Sequence, residues 1–155
     1  MKLKYTKAQL IIETIGIIAL LGMIVFVAFK WNILPSQIPA HYNAQGVVDR
    51  WGGKNQILFL PVVSVFLYVL LSVVSFFPKS WNMPTKVTEE NKTAVYNCMK
   101  TMIITMKAEL VGVFFYITYQ MANKATLAVW FLPAFLVVLI GTIILFVVRT
   151  VEKAK

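Results

Sequence analysis

Four apolar runs punctuated by short polar stretches set the pattern of this chain. Residues 10–29, 57–77, 102–122 and 127–148 each have the length of a bilayer crossing, since about 20 apolar residues in a helix span the hydrocarbon core. The pattern predicts an all-α integral membrane bundle of four transmembrane helices, a single domain with loops at 30–55 and 78–100. The first run is longer than the core of a signal peptide, and no small-residue cleavage site follows it, so it reads as a retained helix. Within it Gly16, Ala19 and Gly22 are small enough to let another helix approach.

The polar residues inside the runs are ordered. On the second helix Ser64, Tyr68, Ser72 and Ser75 recur every three or four residues, with Pro61 three residues before them, and so share a face. On the third, Thr105, Glu109, Gly112, Tyr116 and Gln120 do the same. In lipid such stripes turn toward other helices or water. Lys107 lies two residues from Glu109, roughly 200° away around the helix, so the two serve different faces. Thr88 followed by Glu89 and Glu90 reads as a helix N-cap with acids in the first turn, so the third helix is expected to begin before it enters the membrane near Met102. A tight connection at 123–126 leads to the fourth helix, the most uniformly apolar.

Composition agrees. The chain is 59% hydrophobic and 14% charged, with mean hydropathy +0.77, against about 45–50% apolar and about 25% charged for a soluble domain. The net charge of +9 does not point to nucleic acid, because the lysines flank apolar runs and form no basic cluster interleaved with aromatics. With the N-terminus inside, Lys2, Lys4, Lys7, Lys79, Lys86, Lys92, Lys100, Arg149, Lys153 and Lys155 make ten cytoplasmic positives, against four outside at Lys30, Arg50, Lys54 and Lys124. That asymmetry predicts cytoplasmic termini and an extracytoplasmic first loop. Trp31, Trp51 and Trp130 then lie near the outer interface and Trp81 near the inner one. The lone Cys98 excludes an internal disulfide and CxxC chemistry.

Candidate chemistry concentrates in the first loop. The stretch LPSQIPAHYNAQGVVDRWGGK, residues 34–54, holds the only histidine and the only aspartate. Pro35 and Pro39 restrict the residues before them, so its beginning should be extended, and Asn43 and Gly46 suit a turn. His41, Asn43 and Asp49 can converge once the loop folds. They either hydrogen-bond the loop to itself, with Asp49 pairing with Arg50 or Lys54, or present a binding surface that includes Trp51 and Lys54. One imidazole and one carboxylate make an incomplete metal set, and neither a metal nor another cofactor is expected. Within the membrane, Glu13 and Lys107 at similar depth can pair, or Lys107 can snorkel to the interface. In the other reading Glu109, Tyr116, Tyr68 and the serine stripe line a polar cavity for a cation, a proton or part of a peptide.

The loop residues Leu34, Pro35, Ile38, Pro39, His41, Asn43, Gly46, Asp49, Trp51 and Lys54, set between two membrane helices, fit the pattern LPxxIPxHxNxxGxxDxWxxK. The stretch resembles the N-terminal domain of unknown function of the bacterial SdpI-type immunity proteins. The resemblance covers about a third of the chain, roughly residues 15–61. It implies a multipass protein of the bacterial cell membrane for immunity to, or sensing of, a secreted toxic peptide. A cytoplasmic repressor or membrane partner is then expected, and a homo-oligomer is compatible with it. The alternative is a membrane-embedded enzyme or an ion- or proton-coupled small transporter using His41 and Asp49 or Glu109. Serine or cysteine catalysis is not supported, since no GxSxG occurs and Cys98 lies on the opposite side of the membrane from His41.

Overall fold

The computed structural model describes residues 3–155, so Lys2, counted above among the cytoplasmic positives, lies outside the described residues. Helix α1 spans Lys7–Lys30, strands β1 and β2 span Gln37–Tyr42 and Val48–Gly53, and helices α2, α3 and α4 span Phe59–Ser75, Lys92–Ala122 and Phe131–Glu152. The fold is mostly helical, and all four helices are long and apolar enough to cross a membrane. The departure from an all-α architecture is the first loop, which forms a two-stranded antiparallel hairpin.

Helix α1 starts at a capping box. The Thr6 hydroxyl accepts the Gln9 backbone N–H, and the Gln9 side chain accepts the Thr6 N–H, which satisfies two of the donors a helix start leaves unpaired. Its inward stripe is Gln9, Gly16, Met23 and Val27. Gly16 is the close-packing point, since a Cβ there would lie 3.4 Å from the Tyr68 ring and 3.5 Å from the Ala108 methyl. Helix α2 opens with Pro61 in its first turn, where a missing N–H costs nothing. The expected polar stripe turns inward: Pro61, Ser64 and Ser75 are buried, while Val62, Phe66, Val69 and Val73 on the other side are exposed, as lipid-facing residues are.

Helix α3 is central and packs against each of the other three. It begins at Lys92, ten residues before Met102. The extra turns bury Val95, Cys98 and Met99, and they receive the α1 side chain Gln9, which donates to the Thr101 hydroxyl at 2.9 Å and the Asn97 carbonyl at 3.2 Å. The Thr88 cap with acids in the first turn does not start the helix: its N-cap is Asn91 and no acid lies in its first turn. Thr88 and Asn91 instead exchange side-chain-to-backbone bonds in a separate turn just before it, and Glu89 pairs with Lys92 there. Lys100 lies buried beneath the N-terminal segment, with its ammonium 3.4 Å from the Tyr5 ring centre and donating to the Leu3 carbonyl at 3.1 Å.

Helix α4 begins at Phe131, four residues later than the apolar run. The cause lies in the hairpin. The Leu127 N–H is held by the Gly46 carbonyl at 2.8 Å, and the Ala125 carbonyl accepts the Tyr42 hydroxyl at 3.2 Å. Residues 125–127 thus bond to the hairpin, and the helix starts after them, with Pro133 in its first turn. Beneath the hairpin a core of Val27, Leu34, Ile38, Ile57 and Met121 joins it to α1, α2 and α3. One end of the bundle therefore carries the hairpin with Trp31, Trp51 and Trp130. The other carries both termini, Trp81 and the 76–91 connection, where Asn91 donates to the Ala154 carbonyl at 3.2 Å.

Candidate functional site

The hairpin is built by its polar residues before any of them can serve a ligand. Asn43 makes the turn: its side-chain oxygen accepts the N–H groups of Gln45 and Val47, both at 3.0 Å, and its carbonyl accepts the Gly46 N–H at 2.9 Å. This is the Asx geometry that lets asparagine direct a turn. Gly46 follows with φ +78°, in the left-handed region.

In β1, Pro39 is tolerated because a two-stranded sheet consists of edges. The register is irregular on both sides of the His41–Arg50 pair, and such bulges re-aim side chains. Asp49, one place off that pair, reaches His41 instead of Arg50 or Lys54, with Nδ1 and Oδ1 2.6 Å apart. A carboxylate on Nδ1 selects the tautomer that leaves the Nε2 lone pair free. Lys54 turns away from Asp49 to lie over the Trp31 ring at 4.8 Å, and its backbone N–H donates to the Ser36 carbonyl at 3.1 Å.

Of the ten pattern residues, Leu34, Ile38, Pro39 and Gly46 are buried, and Asn43 bonds within the turn. His41, Asp49 and Trp51 remain exposed, Trp51 by 48%. Under the His41 face lies a half-open pocket of about 290 Å³. Ala40, His41 and Tyr42 form its roof, with Gln56 from the turn before α2, Phe59 and Leu60 from the start of α2 and Ile117 and Met121 from the end of α3. Leu127 and Phe131 close it from the α4 side. Polar groups thus sit at its edge over an apolar floor, the usual composition of a ligand pocket. Burial, then the neighbouring Tyr116 hydroxyl, pushes the Tyr42 phenol up to about 12, so it stays the protonated donor that holds the hairpin to Ala125. Tyr42, Gln56 and Phe131 were not legible as site residues, because a pocket assembled from four elements leaves no local pattern.

Inside the bundle the predicted polar residues split into two groups on opposite faces of α3. Lys107, 2% exposed, donates to Glu13 Oε1 at 2.6 Å and to the Ser72 hydroxyl at 2.8 Å. Its ammonium lies 4.1 Å from the Tyr68 ring centre, and the Tyr68 hydroxyl donates to the same Glu13 oxygen at 2.8 Å. The Glu13–Lys107 pair is thus realised, with Ser72 of the serine stripe and Tyr68 as its additional partners. Glu109 is not part of it. Its Oε1 accepts the Thr142 hydroxyl of α4 at 2.5 Å. Tyr116 lies further along, its ring tilted against that of Phe131 with centroids 5.0 Å apart. The expected single polar cavity of Glu109, Tyr116, Tyr68 and the serines is therefore absent; the space beside Lys107, Ser64 and Tyr68 is closed to water. Thr142 was overlooked in the sequence, although it is the one hydroxyl in the apolar stretch 132–148 and so was marked to face another helix.

A family model described as a domain of unknown function (DUF1648) matches residues 17–65, which run from α1 through the hairpin into α2. The matched 49 residues of 155 are under a third of the chain and contain the whole patterned loop. No curated protein and no solved structure matches the chain.

Proposed function

We propose that this is an SdpI-like multipass membrane protein of the bacterial cell membrane that recognises an extracytoplasmic peptide, for immunity or sensing, through the hairpin of the first loop. The observation that carries the proposal is the pocket roofed by Ala40, His41 and Tyr42 over an apolar floor. An apolar side chain of a peptide fits the floor, and the free Nε2 of His41 offers an acceptor to a backbone N–H at the rim. The Asp49 carboxylate orients that ring. Trp51, on the paired strand, adds an exposed aromatic face to the hairpin. The SdpI resemblance of the loop agrees with this reading and supplies the class of ligand, a secreted toxic peptide.

His41→Asn is expected to weaken peptide binding by about 1–3 kcal/mol, the cost of a hydrogen-bond partner left unmade. Protection of cells against titrated toxic peptide should then shift along the dose axis without vanishing. Unchanged binding and unchanged protection would sink the proposal. Loss of a turnover activity on peptide or lipid, complete in this variant, would make the protein an enzyme instead.

The reading requires the hairpin outside and both termini in the cytoplasm. Support comes from charge: four positives sit at the hairpin end, while Lys4, Lys7, Lys79, Lys86, Lys92, Lys100, Arg149, Lys153 and Lys155 sit at the other. Ser36 is exposed beside β1. In a Cys98→Ala background, Ser36→Cys should react with a membrane-impermeant maleimide in intact cells. Labelling that appears only after permeabilisation would reverse the orientation and remove the hairpin from an extracellular ligand.

A further inference from the structure

We propose that the groove between α3 and α4 is a second, independent binding site, and that it takes a small lipophilic amine in its ammonium form. The groove has a volume of about 330 Å³ and runs from Trp130 at the hairpin end to the Glu109 carboxyl near the middle of α3. That volume is at the lower end of small-molecule sites. Its walls are apolar and aromatic, with Phe131, Phe135 and Val138 on the α4 side. On the α3 side Gly112 keeps it open, since a Cβ added there would meet nothing within 4 Å.

The Glu109 carboxylate determines the chemistry of the occupant. Its Oε1 takes the Thr142 hydroxyl, while Oε2 is buried and has no hydrogen-bond partner among the described residues. Among the described residues no side-chain ammonium reaches it: Lys107, the nearest in sequence, is committed to Glu13 and Ser72 on the opposite face of α3. An unpaired carboxylate at membrane depth is costly, and so is an unmade bond to a buried acceptor. A primary ammonium in the groove supplies the opposite charge, and the missing donor once the carboxyl turns its buried Oε2 toward the groove. An apolar body attached to it lies along Phe135 and Phe131 toward Trp130. A bare metal ion fits poorly, because one carboxylate and one hydroxyl fall far short of the six to eight oxygens a hard cation takes. A peptide helix is too wide for a groove of this volume. The amine enters sideways from the bilayer, since an 18-residue stretch of α4 has no buried residue and α4 packs chiefly on α3.

The test uses the full chain in phosphatidylcholine nanodiscs, with empty nanodiscs subtracted, and titrates 4-phenylbutylamine against its neutral counterpart 4-phenylbutan-1-ol by calorimetry. The amine should bind saturably, one per chain, and the alcohol at least tenfold more weakly. Glu109→Gln, which keeps an acceptor for Thr142, should weaken the amine at least tenfold. Gly112→Leu, which fills the groove and leaves the carboxylate in place, should abolish saturable binding with helical content unchanged by circular dichroism. If Glu109→Gln does not fold, Gly112→Leu decides. Equal binding of amine and alcohol, an unaffected Gly112→Leu variant, or no saturable binding to the wild type would overturn the proposal. A wild type that self-associates without binding the amine, and is made monomeric by Gly112→Leu, would also overturn it and assign the groove to a second copy of the chain.

Discussion

Lys107→Ala is expected to destabilise the bundle by about 3–5 kcal/mol, the range for removing one partner of a buried ion pair. The variant strands Glu13, whose Oε1 loses the ammonium at 2.6 Å while Oε2 already lacks a partner among the described residues. It also leaves the Ser72 hydroxyl without its donor and opens a space beside the Tyr68 ring. Glu13→Gln should cost less than Lys107→Ala, since an amide oxygen still accepts from Tyr68 and Lys107, although the ammonium loses its counter-charge. The double variant Glu13→Gln/Lys107→Met is expected to be milder than Lys107→Ala alone, because no uncompensated charge remains and methionine refills much of the lysine volume. Detergent-titrated unfolding of the purified chain, followed by circular dichroism, measures all three. A double variant at least as unstable as Lys107→Ala would show that the stranded Glu13 charge is not what that substitution costs.

That pair was readable from the chain because it rests on depth and helical phase. Glu13 near the start of the first run and Lys107 near the start of the third fall at one level when consecutive helices alternate direction, and both are too polar for lipid. The same reasoning separated Lys107 from Glu109 and turned Ser64, Ser72 and Ser75 inward, and the structure agrees on each. What phase could not decide was which neighbour each face of α3 meets. Tyr68 and Glu109 were therefore grouped together, although α2 packs on the Lys107 face and α4 on the Glu109 face. Knowing that α3 is the central helix would have been needed, and its own sequence does not say so.

The first loop shows the complementary limit. Asn43, Gly46 and the prolines signalled a shaped segment, yet the strands escaped notice because neither QIPAHY nor VDRWGG is a run of β-branched or aromatic residues, and one contains proline. Their stability comes from outside the sheet: Leu34 and Ile38 sink into the core beneath it, and the turn bonds to residues beyond α3. The late start of α4 has the same origin, whereas the change of partner at Asp49 comes from the bulged register within the hairpin. Long-range docking overrode local propensity wherever the hairpin touches the rest of the chain.

Gly46→Ala should separate that docking from the hairpin's own folding. The substitution places a Cβ 2.4 Å from the Leu127 carbonyl oxygen and 2.8 Å from its carbon, both backbone atoms that cannot swing aside. It also puts a side chain on a residue with φ +78°, a left-handed conformation that costs an L-residue roughly 1–2 kcal/mol. If the hairpin lifts to relieve the overlap, the Leu127 N–H loses the Gly46 carbonyl at 2.8 Å, worth about 1 kcal/mol and more if the donor stays dry. The total is about 3 kcal/mol, directed at one contact between the turn and the α3–α4 connection. Gly46→Val should be worse, since a branched side chain tolerates positive φ least. Gly53→Ala is the control: its φ of −64° is ordinary, and a Cβ there meets nothing within 4 Å. Hydrogen exchange at the Leu127 amide is the readout, because a merely destabilised bundle accelerates all its amides together, whereas an undocked hairpin exposes this one first. The expected result is fast exchange at Leu127 with the α1 and α3 interiors still protected, together with loss of the pocket that needs Tyr42 held against Ala125. Equal behaviour of Gly46→Ala and Gly53→Ala would mean that the turn does not bear on the α3–α4 connection, and the hairpin would then be free to move relative to the pocket it roofs.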